Sequence, residues 1–90
     1  MNVQDFESAL REDGFAEVLT RQQPPSYFLD DHQHPFDARA LVIDGDITLT
    51  VDGLARIYPQ GTVFELPAGT PHQEQAGPAG VTYLVGRRSA

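Results

Sequence analysis

Three histidines, the only ones in the chain, are spaced as the ligands of one metal ion would be. His32 and His34 lie two residues apart, and His72 follows a loop rich in proline and glycine. If a strand surrounds His32 and His34, both side chains point to the same face. Neutral imidazole binds zinc, iron, nickel, copper and manganese, and three imidazoles leave positions open for water or substrate. The pattern predicts that the three histidines converge on one divalent transition metal.

Short strands are predicted to position these histidines. Runs rich in β-branched and aromatic residues recur about every ten residues, with a turn signal at each join. The predicted strands cover residues 15–20, 27–34, 40–43, 47–51, 54–58, 62–66, 72–76 and 81–86. The turns between them include Asp44-Gly45, the hairpin signal Asp52-Gly53, and residues 77–80. Eight short strands with these joins favour an antiparallel sandwich or barrel over a βαβ fold.

A short helix is predicted before the strands. Asn2 is suited to cap it and Gly14 to end it, which places the helix at about residues 2–13. Its apolar face consists of Val3, Phe6, Ala9 and Leu10. This face is expected to pack over the barrel or against a neighbouring subunit. The barrel would take about residues 15–88, and residues 1–90 would form a single domain.

Composition excludes several kinds of function. The chain has 90 residues, a formal net charge of −7 and no cysteine, so disulfides and thiolate chemistry are excluded. The absence of lysine excludes Schiff-base catalysis. An acidic surface repels nucleic acids and anionic membranes, and no apolar run approaches the ~20 residues of a membrane helix. We therefore expect a cytoplasmic protein. Its small core also favours a homodimer, with the helix and the first strand placed to reach a second subunit.

Two motifs resemble those of the cupin superfamily, over about residues 25–85. The first motif is His-x-His followed by a glutamate and then a glycine, and here His32-Gln33-His34 and Gly45 match it. The residues that match the second motif, at every spacing, are Gly61, Pro67, Ala68, Gly69 and His72. The resemblance implies a jelly-roll barrel, or double-stranded β-helix, with a metal held by His32, His34 and His72.

The sequence departs from the cupin pattern at the fourth ligand. The position of the motif glutamate falls on Ala38 or Arg39, and neither can supply a carboxylate. Asp37, one residue away, could substitute for it. Glu74 is the other candidate, because it lies two residues after His72 and should share its inward face. Glu74 could also act as an acid or base beside the metal, or pair with an arginine of the barrel wall.

Several other residues have both a functional and a structural interpretation. Arg39 could bind an anionic substrate, but pairing with Asp37 or Asp44 is the simpler expectation. Asp30 shares a face with His32 and could orient its ring N–H. Arg87 and Arg88 are expected to form a solvated tail. The aromatic residues that could line an apolar pocket, or simply fill the core, are Phe28, Phe36, Phe64 and Tyr83.

Two classes of function remain open from the sequence. The first is an enzyme of the dioxygenase or isomerase type, acting on a small organic substrate beside Fe, Mn, Zn or Ni. The second is a non-catalytic module that binds a metal or a ligand and reports its state to a partner. The small size and the missing glutamate favour the second class, whereas the open metal positions favour the first. The barrel fold is compatible with both.

Overall fold

The computed structural model describes residues 2–89, which form one helix and six strands. The helix is α1 (Val3–Glu12). The strands are β1 (Glu17–Gln23), β2 (Phe28–His32), β3 (Phe36–Val51), β4 (Leu54–Pro59), β5 (Val63–Leu66) and β6 (His72–Ser89). Within this range no helix has both the length and the apolar character needed to cross a membrane.

The two long strands, β3 and β6, pair antiparallel along most of their length, and each contributes to two sheets. In the first sheet, the first half of β3 and the second half of β6 lie between β5 and β1. In the second sheet, the second half of β3 and the first half of β6 lie between β4 and β2. This arrangement is a jelly-roll barrel, or double-stranded β-helix. The predicted all-β fold with a short N-terminal helix is confirmed.

The core lies inside the barrel, and strand alternation decides which side chains enter it. Ala40 and Val42 of β3 point inward, whereas Leu41 between them points to the outer face of the first sheet. On β6, Tyr83 and Val85 point inward and Leu84 outward. The buried inner cluster comprises Ala38, Ala40, Val42, Ile47, Leu49, Phe64, Leu66, Ala76, Val81, Tyr83 and Val85.

Helix α1 packs on the outer face of the first sheet of its own chain. Phe6 and Leu10 form its buried side, and Leu10 is completely inaccessible to solvent. They join Phe15, Leu41 and Leu84 in a second apolar cluster. The Asn2 side chain accepts a hydrogen bond from the Asp5 N–H at 2.8 Å, as expected of an N-terminal cap. Of the four residues predicted for its apolar face, Phe6 and Leu10 are buried, whereas Val3 and Ala9 are exposed.

Two of the predicted turns are bends within continuous strands, so six strands replace the expected eight. Asp44-Gly45 lies inside β3 and residues 77–80 lie inside β6, where the register between the two strands shifts. Gly45 has φ +74° and Gly80 has φ +81°, and a Cβ on Gly45 would lie 2.1 Å from the Gly80 carbonyl oxygen. The two glycines therefore let both long strands bend at the same place and pass from one sheet to the other.

The hairpin between β3 and β4 is formed as predicted. Asp52 and Gly53 have φ values of +52° and +76°, the pair of left-handed conformations that a two-residue type I′ turn requires. Val51 and Leu54 are the residues that this turn brings into register. The second sheet thereby gains its outer strand, β4.

Candidate metal centre

The three histidines lie at one end of the second sheet. Two of them are on the paired strands β2 and β6, and the third is in the segment that follows β2. His32 is the last residue of β2 and His72 is the first of β6, and the two are directly opposite each other in the antiparallel pair. Opposite residues present their side chains to the same face. His34 follows in the segment that leads to β3, and its carbonyl oxygen accepts a hydrogen bond from the Gly69 N–H at 2.8 Å. This bond ties His34 to the loop that delivers His72.

The side chains converge as the sequence predicts. One nitrogen from each of His32, His34 and His72 lies within 4.8 Å of the other two. The ring centroids are 4.1 Å apart for His32 and His72, and 5.1 Å apart for each pair that includes His34. Two histidine nitrogens bound to one ion at 2.0–2.1 Å lie at most about 4.2 Å apart. The cluster is therefore close to the separation that shared coordination requires.

Hydrogen bonds to the backbone fix the tautomers of two of the histidines. Nδ1 of His32 donates to the Asp30 carbonyl oxygen at 2.8 Å, and Nδ1 of His72 donates to the Thr70 carbonyl oxygen at 2.9 Å. A carbonyl oxygen can only accept, so Nδ1 carries the proton and Nε2 keeps its lone pair. Asp30 therefore orients His32, as expected, but with its main chain. Its side chain instead accepts a hydrogen bond from Gln73.

The two free nitrogens are buried without a hydrogen-bond partner. Among residues 2–89, Nε2 of His32 and Nε2 of His72 are the only buried side-chain nitrogen or oxygen atoms in this condition. His72 is 1% exposed, so water has little access to it. Leaving a buried polar atom unpaired costs ~1–3 kcal/mol, and proteins rarely tolerate this without compensation. The two lone pairs therefore have the position and character of metal ligands.

His34 is held by an aromatic neighbour and favours its neutral form. Its ring stacks on Phe36, with the ring centroids 4.8 Å apart and the planes 12° from parallel. Burial lowers the pKa of His34 below its usual value of 6.5, and the nearby His72 and His32 lower it further. A metal ligand must be unprotonated. The environment of His34 thus stabilises the form that binds a cation.

Glu74 lies beside the triad, on the strand that also carries His72. Its Oε2 atom is 3.6 Å from Nε2 of His32 and 3.7 Å from Nε2 of His72. These distances are too long for a hydrogen bond, but they leave the carboxylate facing the same space as the two lone pairs. The placement agrees with the expectation that Glu74 shares the inward face of His72.

Asp37 is not close to the triad in this arrangement. One carboxylate oxygen accepts from the Ala68 N–H at 2.8 Å, and the other accepts from the Arg88 guanidinium at 3.1 Å. These hydrogen bonds, first that of Ala68 and then that of Arg88, lower the pKa of Asp37. The proposed substitution of Asp37 for the missing glutamate therefore finds no support in the geometry. Its carboxylate instead anchors the loop that precedes His72.

Three expectations about arginines are wrong. Arg39 pairs with Asp13 at 2.6 Å and Glu65 at 2.5 Å, not with Asp37 or Asp44. Arg87 and Arg88 do not form a free tail, because both lie in β6 and form ion pairs. The Arg87 guanidinium also lies over the Phe36 ring, 4.7 Å from its centroid.

A cavity of about 100 Å³ adjoins the triad inside the barrel. Three of the four aromatic residues expected to line a pocket do so, namely Phe36, Phe64 and Tyr83, whereas Phe28 is 53% exposed on the outside. Burial is the main cause that raises the pKa of Tyr83 to about 12, with the charge of Glu74 adding to it. Tyr83 therefore stays a neutral hydroxyl at physiological pH.

Two arginines also line this cavity, namely Arg21, which the sequence did not single out, and Arg87, which was expected in a solvated tail. Both could have been found from strand alternation. Arg21 lies two residues after Leu19, which packs against the inner cluster, and Arg87 lies two residues after the buried Val85. Side chains at i and i+2 of a strand share a face.

Sequence and structure comparisons identify the family. A family model described as "Cupin domain" matches residues 19–84, which is more than half of the chain. The chain belongs to the cupin family. No curated protein sequence matches this cupin.

Solved structures share the fold of this cupin at low sequence identity. A protein of unknown function from Rhizobium leguminosarum is 15% identical, with a TM-score of 0.76 over 81% of this chain and 69% of the other. KdgF from a Halomonas species is 20% identical, with a TM-score of 0.67 over 81% and 68%. An oxalate decarboxylase variant from Bacillus subtilis is 23% identical, with a TM-score of 0.69 over 80% of this chain but 20% of the other. At these identities the likeness shows the fold alone.

Proposed function

We propose that this cupin binds one divalent transition metal through His32, His34 and His72. The observation that carries the proposal is the pair of buried Nε2 atoms on His32 and His72 that lack any partner. Their Nδ1 atoms are already committed to backbone carbonyls, so the lone pairs of Nε2 are available and point into the cluster. An outer hydrogen bond of this kind is typical of metal-binding histidines. The lowered pKa of His34 supports a neutral third ligand.

Glu74 is proposed as the residue that works beside this metal. Its carboxylate faces both free Nε2 atoms at 3.6–3.7 Å. Glu74 could therefore act as an acid or base beside the metal, or, after a modest side-chain rotation, bind the metal as a fourth ligand. A carboxylate ligand with three histidines would favour iron or manganese, whereas three histidines alone resemble an open zinc or nickel site. The bound metal would supply a positive charge that polarises an oxygen of the substrate.

The proposed activity is the conversion of a small organic molecule in the cavity, of the dioxygenase or isomerase type. His32, His34 and Glu74 line the cavity, which allows a bound molecule to meet these three residues. A catalytic function is compatible with the fold, since one protein of similar structure is an oxalate decarboxylase. The second candidate is a non-catalytic metal-binding or ligand-binding sensor module. The loss of the motif glutamate, where Ala38 now lies in the core, favours this alternative.

Metal content tests the central claim. Protein without a histidine tag, loaded with Mn, Fe, Ni or Zn and dialysed, should retain about one ion per chain by elemental analysis. His72→Gln should weaken binding by more than the 10–100-fold that loss of an outer hydrogen-bond partner costs. Gln75→Ala, an exposed position on the same strand, is the matched control and should bind as the wild type does. Full metal retention by a folded His72→Gln protein would refute the site.

Substitution of Glu74 separates its possible roles. If Glu74 is the fourth ligand, Glu74→Gln should lower metal affinity, because an amide oxygen is a weaker ligand than a carboxylate. If Glu74 is an acid or base, the same variant should keep its metal and lose turnover. Turnover itself is measured by oxygen uptake and product analysis of the metal-loaded protein with small organic acids and polyols. A protein that binds such molecules without converting any of them would favour the sensor module.

A homodimer is proposed for the assembly, although the helix and the first strand, which were expected to reach a second subunit, pack against their own chain. Apolar side chains remain on the outside of the second sheet, including Leu54 at 77%, Ile57 at 64% and Phe28 at 53% exposure. If a second copy of the chain packed against these side chains, it would bury apolar surface that is exposed to water in the monomer. Light scattering should give twice the 9.9 kDa mass of the chain. The cytoplasmic location stays a prediction.

A further inference from the structure

Arg21 lines the cavity of the candidate site from strand β1. It lies in β1 on the same strand face as Leu19, whose side chain packs against the inner core. Its own side chain lines the cavity together with His32, His34 and Glu74. Arg21 is also exposed to solvent, which places it where the cavity opens.

Within residues 2–89, Arg21 differs from the other arginines in having no ion-pair or aromatic partner. The pairings of the rest are Arg11 with Glu7, Arg39 with Asp13 and Glu65, Arg87 with Glu17, Arg88 with Asp37, and Arg56 with the ring of Tyr58. Across residues 2–89, Arg21 forms neither an ion pair nor a cation–π contact. A guanidinium has five donors in a fixed fork, which suits a carboxylate held by two hydrogen bonds.

Arg21 brings a positive charge to the cavity of an acidic protein. The chain has a formal net charge of −7, and of the two arginines that line the cavity Arg87 is paired with Glu17, whereas Arg21 has no ion-pair partner among residues 2–89. A divalent ion on the triad would make the cavity more positive still. Low-dielectric walls focus such a field on a small anion.

We propose that the cavity selects small organic carboxylates, with Arg21 binding the carboxylate group at the opening. This inference rests on the proposed metal site, because the opposite end of the bound molecule would face the triad and Glu74. The cavity volume of about 100 Å³ suits a small organic ligand. Arg21 is therefore a specificity-determining residue.

Binding of lactate and lactamide tests the selectivity, because the two molecules have similar size and differ in charge. Each is titrated into 15N-labelled protein, in the metal-free and the metal-loaded form, and chemical shifts give the affinities. A bound metal by itself also prefers a carboxylate, so the decisive comparison is between Arg21→Gln and Arg56→Gln. Both variants lose one positive charge, but Arg56 does not line this cavity. Metal content is measured separately for every sample.

The expected result is a loss of about tenfold in lactate affinity for Arg21→Gln, with lactamide affinity unchanged. Arg56→Gln should bind both molecules as the wild type does. Equal lactate affinity in Arg21→Gln and the wild type would overturn the inference, as would wild-type protein that does not distinguish the two molecules. Protein that retains no metal but still prefers lactate through Arg21 would refute the metal site and support the carboxylate selectivity.

Discussion

The bend that joins the two sheets should depend on Gly45 more than on any hairpin glycine. We consider Gly45→Ala, with Gly53→Ala as its matched control. The two glycines have nearly the same backbone conformation, with φ +74° and +76°. They differ in surroundings, because a Cβ at Gly45 would lie 2.1 Å from the Gly80 carbonyl oxygen, whereas nothing lies within 4 Å of a Cβ at Gly53. The pair of variants therefore separates backbone strain from steric overlap.

The expected losses of stability follow from backbone strain and steric overlap. Each alanine costs ~1–2 kcal/mol for the left-handed conformation. At Gly45 the overlap is with the backbone of β6, which cannot rotate away, so the two long strands must separate locally. Forcing extra volume into a packed site costs a further ~1–3 kcal/mol. Gly45→Ala should therefore lower the free energy of unfolding by ~2–5 kcal/mol, and Gly53→Ala by ~1–2 kcal/mol.

Urea unfolding followed by circular dichroism measures both free energies under the same conditions. Failure of Gly45→Ala to fold, while Gly53→Ala folds, would agree with the reasoning. Equal destabilisation by the two variants, within about 0.5 kcal/mol, would refute it. That outcome would mean that β3 and β6 do not approach each other closely at Gly45 and Gly80.

Two further variants test the support of the site and the packing of the helix. Asp37→Asn should lower the free energy of unfolding above about pH 4 and flatten the pH dependence of stability at lower pH. The folded pKa of Asp37 lies below its usual 3.8, so the stabilisation by its carboxylate is lost as the pH falls through that lowered value. Unfolding free energies from pH 2 to 7 that run parallel for the variant and the wild type would contradict this. Leu10→Ala should cost ~2–5 kcal/mol, because Leu10 is 0% exposed on the buried side of α1, while Val3→Ala at 40% exposure should cost much less. Thermal unfolding of both proteins checks the difference, and similar losses would show that α1 does not pack on the first sheet.

The sequence by itself determined the features that depend on local chemistry. A cap at Asn2 and an apolar stripe gave the limits of α1, and Asp52-Gly53 gave the hairpin, since each depends on residues only a few positions apart. The two-residue spacing of His32 and His34 indicated a shared site, although His34 lies beyond the end of β2, so strand alternation is not what places it there. The position of His72 came from the spacing of a motif that fixes the preceding loop. These predictions needed no knowledge of which strands are neighbours.

Other features were decided only by tertiary structure, because their partners are distant in sequence. A glycine with positive φ suits a turn and a bulge equally, and only the pairing of β3 with β6 makes Gly45 a bend. Arg39 pairs with Asp13 and Glu65, each 26 residues away, so no local pattern could predict the choice. A long arginine side chain pairs with whichever carboxylate the fold brings close to it. For the same reason, a lone arginine on β1 becomes part of the candidate site only when the barrel closes around it.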